Sequence, residues 1–131
     1  MTTTTAGYIS GKMRHELKAG LHTVMGDVSA DEGGEDSGLS PHDLLALSLA
    51  ACTSMTLRMY AKRKGWHLEN AQTTVEVTVS AEKTLFKRII HLIGALDLAQ
   101  SEQLLKIADR CPIHKILVGK IEIVSELSGV L

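Results

Sequence analysis

Two cysteines, Cys52 and Cys111, are the only thiols in this 131-residue chain, and each sits where chemistry accounts for it more readily than packing does. Cys52 closes the apolar run Leu44-Leu-Ala-Leu-Ser-Leu-Ala-Ala-Cys52, and Cys111 opens Cys111-Pro-Ile-His114 at the end of a second helical pattern. A thiol that meets a second thiol in the fold can be oxidised, captured as a disulfide and reset. The plainer alternative is an inert core cysteine, since free Cys is among the most buried residue types. A third reading pairs Cys111 with His114 as a Cys-x-x-His half-site, which Cys52 and His22 would complete as a tetrahedral zinc set. Half a site is weak evidence, and no bound metal is expected.

A reactive Cys52 needs a cation. The thiol lies about twelve residues into its helix, so at ~1.5 Å per residue it is some 18 Å from the positive helix end, too far for the dipole to activate it. Arg14 and His22 on the N-terminal strands are the candidate cations. His42 and Asp43 share the helix with Cys52 but stand roughly 13–15 Å away along its axis. They reach a thiol only through a bend or across to a second subunit.

Composition narrows the classes of function. The length suits one domain, residues 1–131, and a formal net charge of −1, from 14 basic and 15 acidic residues, gives no long-range field favouring nucleic acid or an anionic membrane. Only four aromatics occur, Tyr8, Tyr60, Trp66 and Phe86, too few for a stacking platform for single-stranded nucleic acid. The opening Met1-Thr-Thr-Thr-Thr-Ala-Gly-Tyr8 has no basic or apolar region typical of a signal peptide. No segment is read as reaching the ~18 apolar residues of a spanning helix. A cytoplasmic chain is expected, and in that reducing compartment a disulfide between the two cysteines would be transient.

The elements that must position the thiols follow from pattern. Gly7 to Arg14 and Leu21 to Ser29 read as two short strands joined at Lys18-Ala-Gly20, and the acidic Ala30 to Leu39 as a flexible loop without an apolar anchor. Ser40-Pro41-His42-Asp43 is a helix start, with a capping serine, proline at the first position and aspartate in the box. From Leu44 to Tyr60 the helix is apolar nearly all round, and Gly65 stops it. A cylinder apolar on every side must be covered on every side, so it is expected to pack on a sheet and against a second copy. Thr73 to Ser80 alternates as a half-buried strand, Leu85 to Leu96 pairs with it, Ala99 to Asp109 is an amphipathic helix, and Lys120-Ile-Glu-Ile-Val124 reads as a closing strand.

The sequence Gly38-x-Ser40-Pro41-x-x-Leu44-Leu45, Ala50-Ala51-Cys52-Thr53, Tyr60-Ala61-x-x-x-Gly65 and Ala108-Asp-x-Cys111-Pro112-x-His114 resembles the OsmC/Ohr family of thiol-dependent hydroperoxide reductases, most closely its OsmC-like branch. The resemblance spans about Leu21 to Leu127. It implies an α+β fold built as an intertwined homodimer, with antiparallel sheets enclosing a central Cys-bearing helix and active sites at the subunit interface. It also implies a peroxiredoxin-like thiol peroxidase: Cys52 attacks an organic hydroperoxide, Cys111 resolves the product through a transient disulfide, and an external dithiol, such as a lipoyl group, resets it without any bound cofactor. Where the founding branches carry a glutamate this chain has His42, which leaves Arg14, His22 and His42 as the candidate activating or orienting residues. The competing readings of the same fold are a non-enzymatic protein binding a small ligand and a zinc-bound structural dimer.

Overall fold

In the computed structural model, which describes residues 2–131, the chain runs through three strands, a long helix, a strand pair and two short helices. Antiparallel sheets and helices make the fold α+β, as expected. The strands are β1 (Thr4–Ser10), β2 (Arg14–Ala19), β3 (His22–Gly26), β4 (His67–Val79) and β5 (Thr84–Ala95), and the helices α1 (Pro41–Lys64), α2 (Leu98–Ile107) and α3 (Pro112–Val118). The chain divides into two compact units, one formed by the chain through Ser48 with Val75–Lys87, the other by Leu49–Thr74 with Arg88–Leu131.

In the first unit β1, β2 and β3 form one antiparallel sheet in sequence order. The expected two strands are three. Arg14–Ala19 pairs on both sides, with Tyr8 opposite His15 and Leu17 opposite Val24, because its partly buried centre, His15-Glu-Leu17, needs hydrogen-bonded neighbours despite its charged composition. The turn falls at Gly20, as expected, with Ala19 opposite His22.

The segment after β3 is not the unanchored loop its acidic sequence suggests. Asp27, only 4% exposed, accepts hydrogen bonds from the amides of Val28, Glu35 and Ser37 and from the Ser37 hydroxyl. These four donors hold its carboxyl at about 2, below the usual 3.8, chiefly through the Ser37 hydroxyl and amide. Leu39 closes the loop, its amide donating to Met25 and its carbonyl accepting from Asp27. Gly38 is required beside it, since a Cβ there would run into the Met25 carbonyl. An open apolar hollow of about 250 Å³ in this unit is lined by Met13, Leu17, Val28, Leu39 and Leu44, among others, and by neither cysteine.

The helix start is the one read from the sequence. The Asp43 amide donates to Ser40 Oγ at 3.1 Å, and Pro41 opens α1. At the other end Gly65 takes φ +70°, the left-handed conformation that ends a helix, and the Trp66 amide reaches back to the Ala61 carbonyl. At 24 residues, with an 18-residue stretch of mean hydropathy 1.3, α1 is long and apolar enough to cross a membrane by length and composition alone, correcting the shorter sequence estimate. Only one stripe of α1 is buried: Leu49, Thr53, Leu57 and Ala61, each four residues after the last. Leu45, Leu47, Met55 and Met59 stay 44–63% exposed.

The core of the second unit gathers Leu57 and Ala61 of α1, Ala71 of β4, and Leu104, Ile107 and Ala108 at the end of α2, with Tyr60, Trp66, Ile90 and Leu92 packed around them. Asp97 starts α2 with a reciprocal capping box, accepting from the Gln100 amide while the Gln100 side chain accepts from its own. A tight turn over Ala108–Arg110 then leads into α3, a helix absent from the sequence reading because Cys111-Pro112 was taken as an end; the proline instead occupies a first-turn position, where its missing amide costs nothing. The expected strand at Lys120–Val124 is not formed. Ile121 and Ile123 are 59% and 86% exposed there, because a strand exists only against a hydrogen-bonding edge and the described residues offer this one none.

Candidate thiol site

Both cysteines are free and belong to the second unit. Cys52 sits on α1 one residue before Thr53 of the buried stripe, on the flank of that stripe, and is half-buried. Cys111 is fully buried, at 0% exposure, at the residue joining the Ala108–Arg110 turn to α3. The fold brings the two thiols close enough for each to alter the other's protonation. They are 59 residues apart in the chain, and only the packing of α2 onto α1 brings them together.

Their surroundings differ. At Cys52 burial and the neighbouring Cys111 push the thiol up, outweighing the Ile113 amide and the Thr56 hydroxyl that favour the anion. At Cys111 burial also opposes charge, yet the balance falls below the usual thiol value, lowered by the neighbouring Cys52 thiol, the His114 and Ile113 amides and the Thr53 hydroxyl. The two shifts run in opposite directions, up at Cys52 and down at Cys111.

A cation is present beside this pair, and it is not one of those named from sequence. Arg88 of β5 donates to Thr53 Oγ1 at 3.2 Å and to the Ala108 carbonyl at 3.3 Å, and pairs with Asp109 at 2.8 Å. Its side chain is only 13% exposed. Asp109 also lies 3.9 Å from His114 Nδ1. The signal was there: Phe86, Arg88, Ile90 and Leu92 all turn to the partly buried face of β5, and an arginine on an apolar strand face must have a partner.

Arg14, His22 and His42 are all exposed and lie in the first unit. Arg14 pairs with Ser10 at the start of β2, whereas His22 pairs with Ala19 at its end, so the sheet holds the two roughly 16 Å apart. His42 stays ten residues before Cys52 on a continuous helix. Among the described residues no three of His, Cys, Asp and Glu gather as a metal-binding group; Cys111 and His114 stand without a third ligand.

The chain also matches an established family by its sequence. The family profile of the OsmC-like protein matches residues 34–126, over two-thirds of the chain and both cysteines. The chain belongs to the OsmC-like family. Its fold recurs in an OsmC-like protein of Mycoplasma pneumoniae, at 16% identity and TM-score 0.75 over 91% of this chain and 88% of that one. An organic hydroperoxide resistance protein OsmC from Legionella pneumophila shares it at 23% identity, TM-score 0.67, over 91% and 90%. So does an organic hydroperoxide resistance protein from Elizabethkingia anophelis, at 19% identity and TM-score 0.67 over 93% and 91%. A comparison with curated proteins found no match. Membership suggests a redox or peroxide-related role for this OsmC-like chain.

Proposed function

We propose that this OsmC-like protein is a thiol peroxidase that reduces organic hydroperoxides, with Cys52 as the peroxidatic and Cys111 as the resolving cysteine. The observation that carries the reading is the contact between one half-buried and one wholly buried thiol. Exposure divides the roles: a hydroperoxide can reach Cys52, whereas Cys111 meets only the product formed on Cys52.

The charge distribution suits that division. As the Cys52 sulfur attacks the O–O bond, its proton passes to the adjacent Cys111 sulfur. The S–O bond forms, the O–O bond breaks, and the leaving alkoxide takes a proton to depart as alcohol, leaving Cys52 as sulfenic acid. Cys111, again a thiolate, attacks the sulfenic sulfur; the S–S bond forms, the S–O bond breaks, and hydroxide leaves to become water. An external dithiol, such as a lipoyl group, then exchanges with the disulfide and restores both thiols. That regeneration places the protein in a reducing compartment, the cytoplasm.

The protein works as a homodimer. The support is the apolar side of α1 left exposed, Leu45, Leu47, Met55 and Met59, together with exposed Ile121 and Ile123 in a segment that has no strand partner among the described residues. Coupled turnover with an alkyl hydroperoxide against hydrogen peroxide, using lipoamide and thioredoxin as alternative reductants, tests the function. Preference for the alkyl substrate with a dithiol reductant is expected, and no consumption of either peroxide would refute it.

A further inference from the structure

Arg88 has more contacts than a strand arginine needs for its own burial. Its guanidinium bonds α1 through Thr53 Oγ1, the backbone of the Cys111 turn through the Ala108 carbonyl, and the Asp109 carboxylate. Thr53 is 0% exposed, and its hydroxyl lies beside the Cys111 sulfur, where it favours the anion. A hydroxyl has one proton and two lone pairs. With a lone pair engaged by Arg88, the geometry leaves the Thr53 proton free to point at Cys111. The connection therefore runs from the guanidinium through one buried hydroxyl to the resolving sulfur, while the same guanidinium holds the carbonyl three residues before that sulfur.

We propose that Arg88 is a positioning residue for the thiol pair: it ties the Cys111 turn to α1 and fixes the Thr53 hydroxyl beside the pair, so that Cys111 is aimed at Cys52 before any oxidant arrives. This rests on the two cysteines acting as a redox pair. Three features of arginine are needed at once, a permanent charge, several donors and a rigid planar fork, and lysine supplies only the first. The charged and titratable groups facing the site from its packed elements are Cys52 on α1, Arg88 on β5, Asp109 in the turn and His114 on α3; Arg88 is the one permanent cation among them.

The test uses the full-length protein and two readouts that do not require a peroxide. Thiolate absorbance at 240 nm is followed against pH, and closure of the Cys52–Cys111 disulfide is timed after a diamide pulse, with melting measured alongside to confirm folding. Arg88→Met should move the first thiolate midpoint upward and slow closure by about tenfold near neutral pH, the factor that corresponds to one unit of thiol pKa. Arg88→Lys should recover part of the titration shift but less of the closure rate. Thr53→Val, which removes the hydroxyl at nearly constant volume, should act in the same direction and decides the matter should Arg88→Met not fold. A folded Arg88→Met or Thr53→Val protein with the wild-type midpoint and closure rate would overturn the proposal. Wild-type protein that closes the disulfide with diamide yet consumes no alkyl hydroperoxide would refute the peroxidase reading and leave the role of Arg88 standing.

Discussion

Replacing Leu104 by alanine measures how firmly α2 holds the resolving cysteine in place. Leu104 is 0% exposed and packs with Leu57, Ala61 and Ile107, four residues before the turn that carries Cys111 begins. Truncation removes three buried carbons, about 2.4 kcal/mol at roughly 0.8 kcal/mol for each. The cavity left in a core built around one helix stripe adds to that, giving a loss of about 3–4 kcal/mol, within the range seen for buried Leu→Ala changes. For 131 residues at roughly 2.1 cal/mol/K of unfolding entropy each, this lowers the melting midpoint by roughly 11–15 °C. Urea titration followed by circular dichroism at fixed protein concentration reads the loss. The adjacent Leu105, 64% exposed, supplies the control. Leu105→Ala should cost under about 1 kcal/mol, and any larger loss must vary with protein concentration, because only a second copy could cover that side chain. A Leu104→Ala protein within about 1 kcal/mol of wild type would refute the assignment of this core as the support of the thiol pair.

The Asp27 carboxyl is held at about 2 against an ordinary 3.8, so its contribution to stability is complete above the upper value and disappears as pH falls through the lower one. Asp27→Asn should therefore flatten the fall in stability between these two values; an unchanged acid limb by urea titration would count against the clamp. Assembly is tested on the uncovered face of α1: wild type should sediment as a dimer at micromolar concentration, and Met55→Lys, at a position 63% exposed within its own chain, should shift it toward monomer. Leu49, 4% exposed, is unsuited to this purpose because it already packs inside its own chain.

What the sequence disclosed was whatever depends on neighbours in the chain. Ser40-Pro41 and Gly65 set the ends of α1 through local capping and backbone conformation, and the alternation in Thr73–Ser80 found part of β4. The cysteine pair was legible because two chemically distinctive residues occupied recognisable patterns. Arg88 was only half legible: its place in the apolar alternation of β5 called for a partner, but the partners lie 35 and 20 residues away along the chain and could not be named. Asp27 was overlooked for a similar reason, since a carboxylate that captures amides eight and ten residues later resembles any other acidic loop residue. Lys120–Val124 failed in the other direction, its alternation describing a strand whose partner edge its own chain does not supply.

The most direct test of the account is the product of one oxidation. Reduced protein is treated with less than one equivalent of alkyl hydroperoxide, quenched by alkylation, and mapped by mass spectrometry. The account predicts an intramolecular disulfide between Cys52 and Cys111 in wild type, a trapped sulfenic or over-oxidised Cys52 in Cys111→Ser, and no peroxide consumption by Cys52→Ser. Free thiols in wild type after oxidation, bridges only between subunits, or Cys52→Ser protein that turns over hydroperoxide like wild type would contradict it.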